Sequence, residues 1–452
     1  MRSINPYTGA LVAEYAAHSP ADAHACLDRC AAAWPAWAAR TYAERALVLR
    51  NAARLLRERG ASLARLAVLE MGKPIAQAEA EVEKCAWVCD WYAEHAERLL
   101  ADEPADTDAT RSYARCEPLG TLLAVMPWNF PYWQVFRAAA PALMAGNCVA
   151  LKHASNVPGV ALAIESVLRE AGAPEGVFVT LLVPGAQVAA LIAHDAVAAV
   201  TLTGSEAAGV DVAARAGASL KKVVLELGGS DPFVVLADAD LELAVATAVT
   251  ARVQNNGQSC IAAKRFIVEA PIAEAFERAF TERMRALVVG DPLERSTQVG
   301  PLARPEFVDD LDAQVRRSLA AGAVLATGGA RVEGAGWSYA PTVLTHVAPG
   351  MPAFDEETFG PLAAVTRARD AREAIALANH SRFGLGASVW TRDSTRGEAF
   401  ARELRAGAVF VNGLVKSDPR LPFGGIRRSG HGRELAQAGI REFVNLKTVW
   451  VR

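Results

Sequence analysis

Two short segments carry a thiol and a carboxylate, the groups that covalent catalysis at a carbonyl carbon needs: Gly-Gln-Ser-Cys at 257–260 and Glu-Leu-Gly-Gly at 226–229. A cysteine after a glycine-containing turn can present its sulfur at an open mouth, and its thiolate attacks carbonyl carbon. A partly desolvated glutamate at a strand end can have a raised pKa and act as a general base. Taken singly, Cys260 can be a packing residue, and Glu226 a solvated side chain or a helix-cap partner.

Two further segments can bind negative charge. Asn129 lies in Trp-Asn-Phe-Pro at 128–131, and its amide can stabilise a developing oxyanion without titrating, although a turn-forming asparagine is the alternative. Residues 200–209 predict a strand that passes through Gly204 into a helix, whose first amides suit a pyrophosphate. This pattern differs from the usual G-x-G-x-x-G dinucleotide fingerprint and does not identify a cofactor by itself.

Alternating strands and helices must position these segments. The first hundred residues have helical patterns, and from Gly120 short apolar runs alternate with helical segments, which predicts βαβ units and an α/β fold with parallel sheets. A second α/β series follows from Asp231 to about Phe410, and residues 442–452 predict a final strand. The first predicted helices are 20–37, 42–59 and 79–100, and the first predicted strands are 121–126, 148–151, 177–182, 197–203 and 223–227.

The composition restricts the class of protein. The 452 residues are 52% hydrophobic and 21% charged with a net charge of −3, which is typical of a globular protein and gives no basic excess for nucleic acid or an anionic membrane. No apolar run reaches membrane-spanning length, and the first residues lack the apolar segment of a signal peptide, so a cytoplasmic enzyme is expected. Seven cysteines, an odd number, favour buried free thiols over a disulfide framework or a metal site.

Together the segments resemble the aldehyde dehydrogenases, and the resemblance covers essentially the whole chain in the family's order and spacing. The shared motifs are Ile-Asn-Pro-Tyr-Thr-Gly at 4–9, Pro-Trp-Asn-Phe-Pro at 127–131, Leu-Lys at 151–152, Thr-Gly-Ser at 203–205, Glu-Leu-Gly-Gly at 226–229, Gly-Gln-Ser-Cys at 257–260, Glu-Thr-Phe-Gly-Pro at 357–361 and Pro-Phe-Gly-Gly at 422–425.

The resemblance implies two parallel-sheet α/β domains and a β arm. An NAD(P)-binding domain is expected at 1–100 and 119–228, and a catalytic domain at 229–428. The arm is expected at 101–118 and 442–452, where it would pair subunits into a homodimer or homotetramer.

The resemblance also implies oxidation of an aldehyde to a carboxylic acid. Cys260 would attack the aldehyde, the Asn129 amide and the Cys260 backbone N–H would hold the oxyanion, and Glu226 would activate the water that hydrolyses the thioester. Lys152 and Glu357 match positions that hold the two ribose hydroxyl pairs, and Gly204 and Ser205 match the pyrophosphate turn. The other expected cofactor contacts are Trp128, Thr203, Leu227 and Phe359.

The predicted substrate site resembles the succinate-semialdehyde branch of the family. Arg137 stands where general aldehyde dehydrogenases often have an aromatic residue, and in that branch an arginine pairs with the far carboxylate, which a guanidinium binds bidentately. Ser417 matches a substrate-contacting serine, and Trp133 belongs to the same predicted site. Gln254 stands where some members carry a second arginine, so carboxylate binding would rest on Arg137 and Ser417. The alternative is a structural salt bridge and a turn serine.

Ser155 bears on the cofactor. NAD-preferring members often have a glutamate here, which repels the 2′-phosphate of NADP. Ser155 removes that repulsion and can donate a hydrogen bond, so NADP is the preferred cofactor, and NAD stays possible.

Three other functions are alternatives to this one. An acylating dehydrogenase that passes the thioester to coenzyme A usually lacks the glutamate base, and a catalytically silent relative would have lost Cys260 or Glu226, whereas both are present. A general aldehyde dehydrogenase that acts on other aliphatic aldehydes or semialdehydes is the remaining alternative.

Overall fold

The structure, a computed structural model, describes residues 1–334 and 336–452. Its helices are α1 Pro20–Ala38, α2 Tyr42–Glu58, α3 Gly60–Met71, α4 Ile75–Leu99, α5 Trp133–Ala145, α6 Pro158–Glu170, α7 Val188–Ala193, α8 Glu206–Ala218, α9 Leu241–Val253, α10 Ala270–Arg285, α11 Pro305–Ala320, α12 Pro352–Asp355, α13 Ala371–Asn379, α14 Ser394–Glu403 and α15 Ala436–Arg441.

Its strands are β1 Arg2–Ile4, β2 Leu11–Glu14, β3 Glu103–Pro104, β4 Arg111–Pro118, β5 Thr121–Met126, β6 Cys148–His153, β7 Phe178–Thr180, β8 Val197–Thr203, β9 Lys222–Glu226, β10 Pro232–Val235, β11 Arg265–Glu269, β12 Val324–Thr327, β13 Thr342–Thr345, β14 Leu362–Ala368, β15 Gly386–Trp390, β16 Ala408–Val411, β17 Gly430–His431 and β18 Val444–Val451. They confirm the predicted α/β class.

A six-stranded sheet in the order β17-β9-β8-β5-β6-β7 places the predicted cofactor segments at the carboxyl ends of its parallel strands. Strands β5 to β9 pair in parallel, so their carboxyl ends meet on the same side, where ligands of open α/β sheets bind. Thr203 is in register with Glu226, and Met126 with His153. The short β17 adds to β9 antiparallel.

A seven-stranded sheet in the order β12-β13-β14-β11-β10-β15-β16 supports the cysteine segment. Its pairings are parallel except for that of β12 with β13. Phe233 and Trp390 stack in its core with ring centroids 5.2 Å apart, and Phe266 packs 5.4 Å from Phe233. Cys260 lies in the connection between α9 and β11.

A three-stranded antiparallel sheet, β18-β4-β3, joins the end of the chain to the segment before β5. Its register runs from Val444 opposite Pro118 to Val451 opposite Arg111. As an edge strand, β18 exposes Leu446 and Trp450 to solvent.

The sequence prediction missed helix α3. Gly60 follows the end of α2 after one intervening residue, and a glycine there predicts a break, but a new helix begins at Gly60 and ends only at Gly72, whose φ of 81° is a left-handed cap. Strands β5 and β8 have the predicted bounds.

No helix in the described part of the chain is long and apolar enough to cross a membrane.

Candidate active site

Cys260 lies where two cavities meet, and it lines both of them. The larger cavity has a volume of about 590 Å³ and follows the carboxyl edge of the six-stranded sheet. The smaller one, of about 220 Å³, lies between α4, α5 and the segment around Ser417. Gln134 also lines both cavities, so the junction combines a thiol with an amide side chain.

The segment before Cys260 has three successive residues in the left-handed region. Asn255, Asn256 and Gly257 have φ values of 53°, 58° and 74°. Asparagine is the non-glycine residue that tolerates this conformation best. A Cβ at Gly257 would meet the Gly360 carbonyl oxygen at 2.2 Å, so only glycine fits there. The backbone therefore turns sharply just before the nucleophile candidate.

Buried polar side chains hold this turn in place. The Asn256 amide donates to the Gly72 and Pro301 carbonyls at 2.9 Å each. The Lys264 ammonium donates to the carbonyls of Ser259 at 3.1 Å and Cys260 at 2.8 Å. Lys264 was not predicted from the sequence, although its position just before the apolar strand β11 could have indicated a buried role.

Burial raises the pKa of the Cys260 thiol to about 12, against the opposing influence of Arg137 and Lys264. The thiol is therefore protonated at neutral pH before substrate binds. A thiolate nucleophile forms there only when a proton acceptor takes this proton.

Asn129 is fixed beside the cysteine segment. Its Nδ2 donates to the Gln258 carbonyl at 3.0 Å, and its Oδ1 accepts from Gln134 Nε2 at 3.0 Å. The Asn255 amide donates to the Asn129 carbonyl at 2.6 Å. A carboxamide nitrogen carries two protons, so one N–H of Asn129 stays available for a ligand oxygen.

Glu226 ends β9 and is buried, with 2% of its surface exposed. Within the described residues neither carboxylate oxygen has a hydrogen-bond partner. Burial and the nearby Glu434 raise the pKa of Glu226 well above its usual value, and Arg137 acts in the opposite direction. Burial therefore favours the protonated carboxyl group of Glu226 over its carboxylate.

Arg137 forms a buried ion pair with Glu434. Its Nη2 also donates to Thr203 Oγ1 at 3.3 Å, and its guanidinium lies 4.6 Å from the Phe423 ring centroid. The salt bridge that the sequence analysis held as an alternative is therefore present, and binding of a substrate carboxylate by Arg137 stays a prediction. Glu434 was not predicted, because no sequence pattern indicates that Arg137 contacts a residue 297 positions further along the chain.

The four predicted substrate residues are brought together. Trp133, Arg137, Gln254 and Ser417 all line the smaller cavity. The start of α5, which carries Trp133, is held by α4: Glu81 Oε1 accepts the backbone N–H groups of Tyr132 at 2.8 Å and Trp133 at 2.9 Å.

Most predicted cofactor residues line the larger cavity: Trp128, Thr203, Gly204, Ser205, Leu227, Glu357 and Phe359. Helix α8 begins there, with Ser205 as its N-cap. The Glu357 carboxylate accepts the Gly229 N–H at 2.9 Å, and a Cβ at Gly228 would meet Glu357 Oε2 at 2.3 Å.

Lys152 and Ser155 do not line this cavity in the described structure. Lys152 is buried near the end of β6, and burial lowers the pKa of its ammonium. Ser155 lines a neighbouring open cleft of about 330 Å³ together with Arg2, Arg304 and Glu306.

A sequence model of the aldehyde dehydrogenase family matches residues 1–449, and the chain belongs to this family. It is 54% identical to a probable succinate-semialdehyde dehydrogenase [NADP(+)] of Synechocystis sp. over 99% of both chains, and 51% identical to succinate-semialdehyde dehydrogenase [NADP(+)] 1 of Mycobacterium tuberculosis over the same shares. The crystal structure of succinic semialdehyde dehydrogenase from Streptococcus pyogenes in complex with NADP⁺ superimposes with a TM-score of 0.97 at 34% identity, covering 100% of this chain and 99% of that one. The predicted fold is confirmed.

Proposed function

We propose that this aldehyde dehydrogenase oxidises succinate semialdehyde to succinate with NADP, using Cys260 as nucleophile. The observation that carries the proposal is the position of Cys260 at the junction of two cavities. The larger cavity lies at the carboxyl ends of the strands of the six-stranded sheet, and the smaller cavity has Arg137 and Lys84 in its wall. The relatives named above support the substrate and the cofactor.

The larger cavity fits a dinucleotide. The N-terminus of α8, which follows Gly204 and is capped by Ser205, suits the pyrophosphate, Glu357 suits ribose hydroxyls, and the absence of a side chain at Gly228 leaves room for Glu357 beside it. NADP, when bound, accepts the hydride from the substrate carbon.

The chain's own residues would do the remaining steps. Cys260 gives its thiol proton to solvent and forms a carbon–sulfur bond to the aldehyde, while the Asn129 N–H and its own backbone N–H hold the oxyanion. Oxidation leaves a thioester. Glu226 takes a proton from water as its oxygen attacks the thioester carbon, the carbon–sulfur bond breaks and succinate leaves, and Glu226 returns the proton to the sulfur to restore the thiol.

A substrate panel tests the function. With NADP, kcat/KM for succinate semialdehyde is expected to exceed that for butanal, a neutral aldehyde of similar length, and coenzyme A is expected to have no effect. Equal kcat/KM values would favour a general aldehyde dehydrogenase, and dependence on coenzyme A would favour an acylating enzyme.

Cofactor choice is predicted to depend on Ser155. Ser155→Glu should raise the KM for NADP far more than that for NAD, because like charges a few ångströms apart cost on the order of 1–4 kcal/mol even when partly screened. Steady-state titration of each cofactor measures the effect, with Ser155→Ala as the uncharged control. Equal changes for both cofactors would place Ser155 away from the adenosine ribose.

We also propose a homodimer or homotetramer built through the arm, residues 101–118 and 442–452, because the edge strand β18 exposes Leu446 and Trp450. The domain division proposed is 1–100 with 119–228 for the cofactor and 229–428 for catalysis. Sedimentation velocity tests the assembly, and a monomer at micromolar concentration would contradict it.

A cytoplasmic location is proposed as well, since all seven cysteines are unpaired thiols.

A further inference from the structure

Lys84 is a cation in the wall of the smaller cavity that the sequence motifs did not single out. It lies on α4, and its half-buried side chain reaches Ser417, to which Nζ donates a hydrogen bond of 2.8 Å. The ammonium also lies 4.3 Å from the Trp133 ring centroid. Lys84, Ser417 and Trp133 line the same cavity as Cys260.

The charge of Lys84 has no carboxylate partner in the described part of the chain. The acidic residues around it are engaged elsewhere. Glu81 pairs with Lys73, Asp418 pairs with Arg420 at 2.6 Å, and Glu434 pairs with Arg137. A cation that is partly removed from water and has no carboxylate partner is costly. A ligand anion in the cavity would offset that cost.

We infer that Lys84, together with the Ser417 hydroxyl, binds the carboxylate at the far end of the substrate and so determines the preference for an acidic aldehyde. This inference rests on the function proposed above and adds to it the residue that recognises the charge. An ammonium has three N–H donors, and the bond to Ser417 uses one of them. Because the Ser417 oxygen accepts from Lys84, its own O–H is free to donate to the carboxylate.

Arg137 contributes differently in this arrangement. Its guanidinium lines the same cavity but forms an ion pair with Glu434, so its charge already has a partner within the protein. The ammonium of Lys84 is therefore a cation in this cavity that remains available to the substrate carboxylate.

If Lys84 binds the substrate carboxylate, its protonation makes the KM for succinate semialdehyde depend on pH, which a purely structural role of Lys84 would not. Burial and the facing Arg137 on α5 lower its pKa to about 8, whereas Asp418 and the α4 residues Glu81 and Cys85 oppose this shift. Carboxylate binding requires the charged form. The KM for succinate semialdehyde should therefore rise as the pH passes upward through 8, whereas the KM for butanal should not.

The test compares wild type with Lys84→Met, which keeps the length of the side chain and removes its charge. The KM for succinate semialdehyde is expected to rise about ten- to a hundredfold, the range of a lost charge-assisted hydrogen bond, with little change in kcat and no rise in the KM for butanal. Lys84→Arg should retain a low KM and lose the pH dependence near 8. Lys222→Met, at the opposite end of β9 from Glu226, is the matched control and should change neither KM.

The outcomes separate the two proposals. A wild type without preference for succinate semialdehyde over butanal overturns the proposed function. A wild type with that preference, retained in Lys84→Met, overturns the role of Lys84 alone. Should Lys84→Met fail to fold, the wild-type ratio of the two KM values decides: a ratio constant between pH 7 and 9 overturns the inference.

Discussion

Cys260→Ala is expected to abolish aldehyde oxidation, with kcat lower by on the order of 10⁴-fold or more, because the variant cannot form the covalent intermediate through which the reaction is proposed to pass. Cofactor binding should survive. The side chains expected to hold the dinucleotide lie on β8, α8, β9 and the Glu357 segment, and the backbone at Cys260 is held by Lys264 and the buried asparagines.

The measurement is steady-state formation of NADPH together with a calorimetric titration of NADP into the variant. Cys116→Ala is the matched control, since Cys116 is a half-buried thiol on β4, outside both cavities. Activity near that of wild type in Cys260→Ala would remove this residue as the nucleophile. Loss of activity in both variants would point to a general effect on folding.

The fold was predictable where local pattern and long-range packing agree. The apolar runs that form β5 and β8 are buried on both faces, as in parallel sheets covered by helices, and their bounds were predicted correctly. Helix α3 was missed because a glycine at its first position reads as a break, whereas packing of Leu63 and Ala67 into the core favours continuing the helix there.

The candidate site was predictable only as separate motifs. The pattern around Cys260 and Glu226 indicated their chemistry, and the resemblance to the family supplied their relation to each other. The sequence did not indicate which charged side chains of the site form ion pairs with each other. The partner of Arg137 lies near the end of the chain, and Lys84 comes from a helix that otherwise reads as amphipathic packing. Such pairs depend on how distant elements dock, and no periodicity in a single sequence encodes them.

Glu226→Gln is expected to slow the second half of the reaction far more than the first. Hydride transfer needs no base at this position, whereas thioester hydrolysis does. Rapid mixing of the variant with NADP and aldehyde should give a burst of NADPH that approaches one equivalent per active site, followed by turnover reduced on the order of 10²–10⁴-fold. Glutamine keeps the volume of the side chain, so the packing around this buried position should be preserved. A variant without a burst would instead assign Glu226 to the first step or to the structure.

The pH dependence offers a second, independent measure of the same residue. In the folded protein the pKa of Glu226 lies well above the usual value of 4.5, because its carboxylate is buried, faces Glu434 and has no hydrogen-bond partner among the described residues. Its base form therefore accumulates only at higher pH, and wild-type hydrolysis of the thioester should accelerate as the pH rises through that pKa. The same shift affects stability. The folded state holds this proton more tightly than the unfolded state, so the stabilisation is complete below pH 4.5 and is lost as the pH rises towards the folded pKa. Glutamine cannot ionise, so the melting temperature of Glu226→Gln relative to wild type should increase from pH 5 to pH 9. A difference that stays constant over this range would mean that Glu226 is not held in its protonated form.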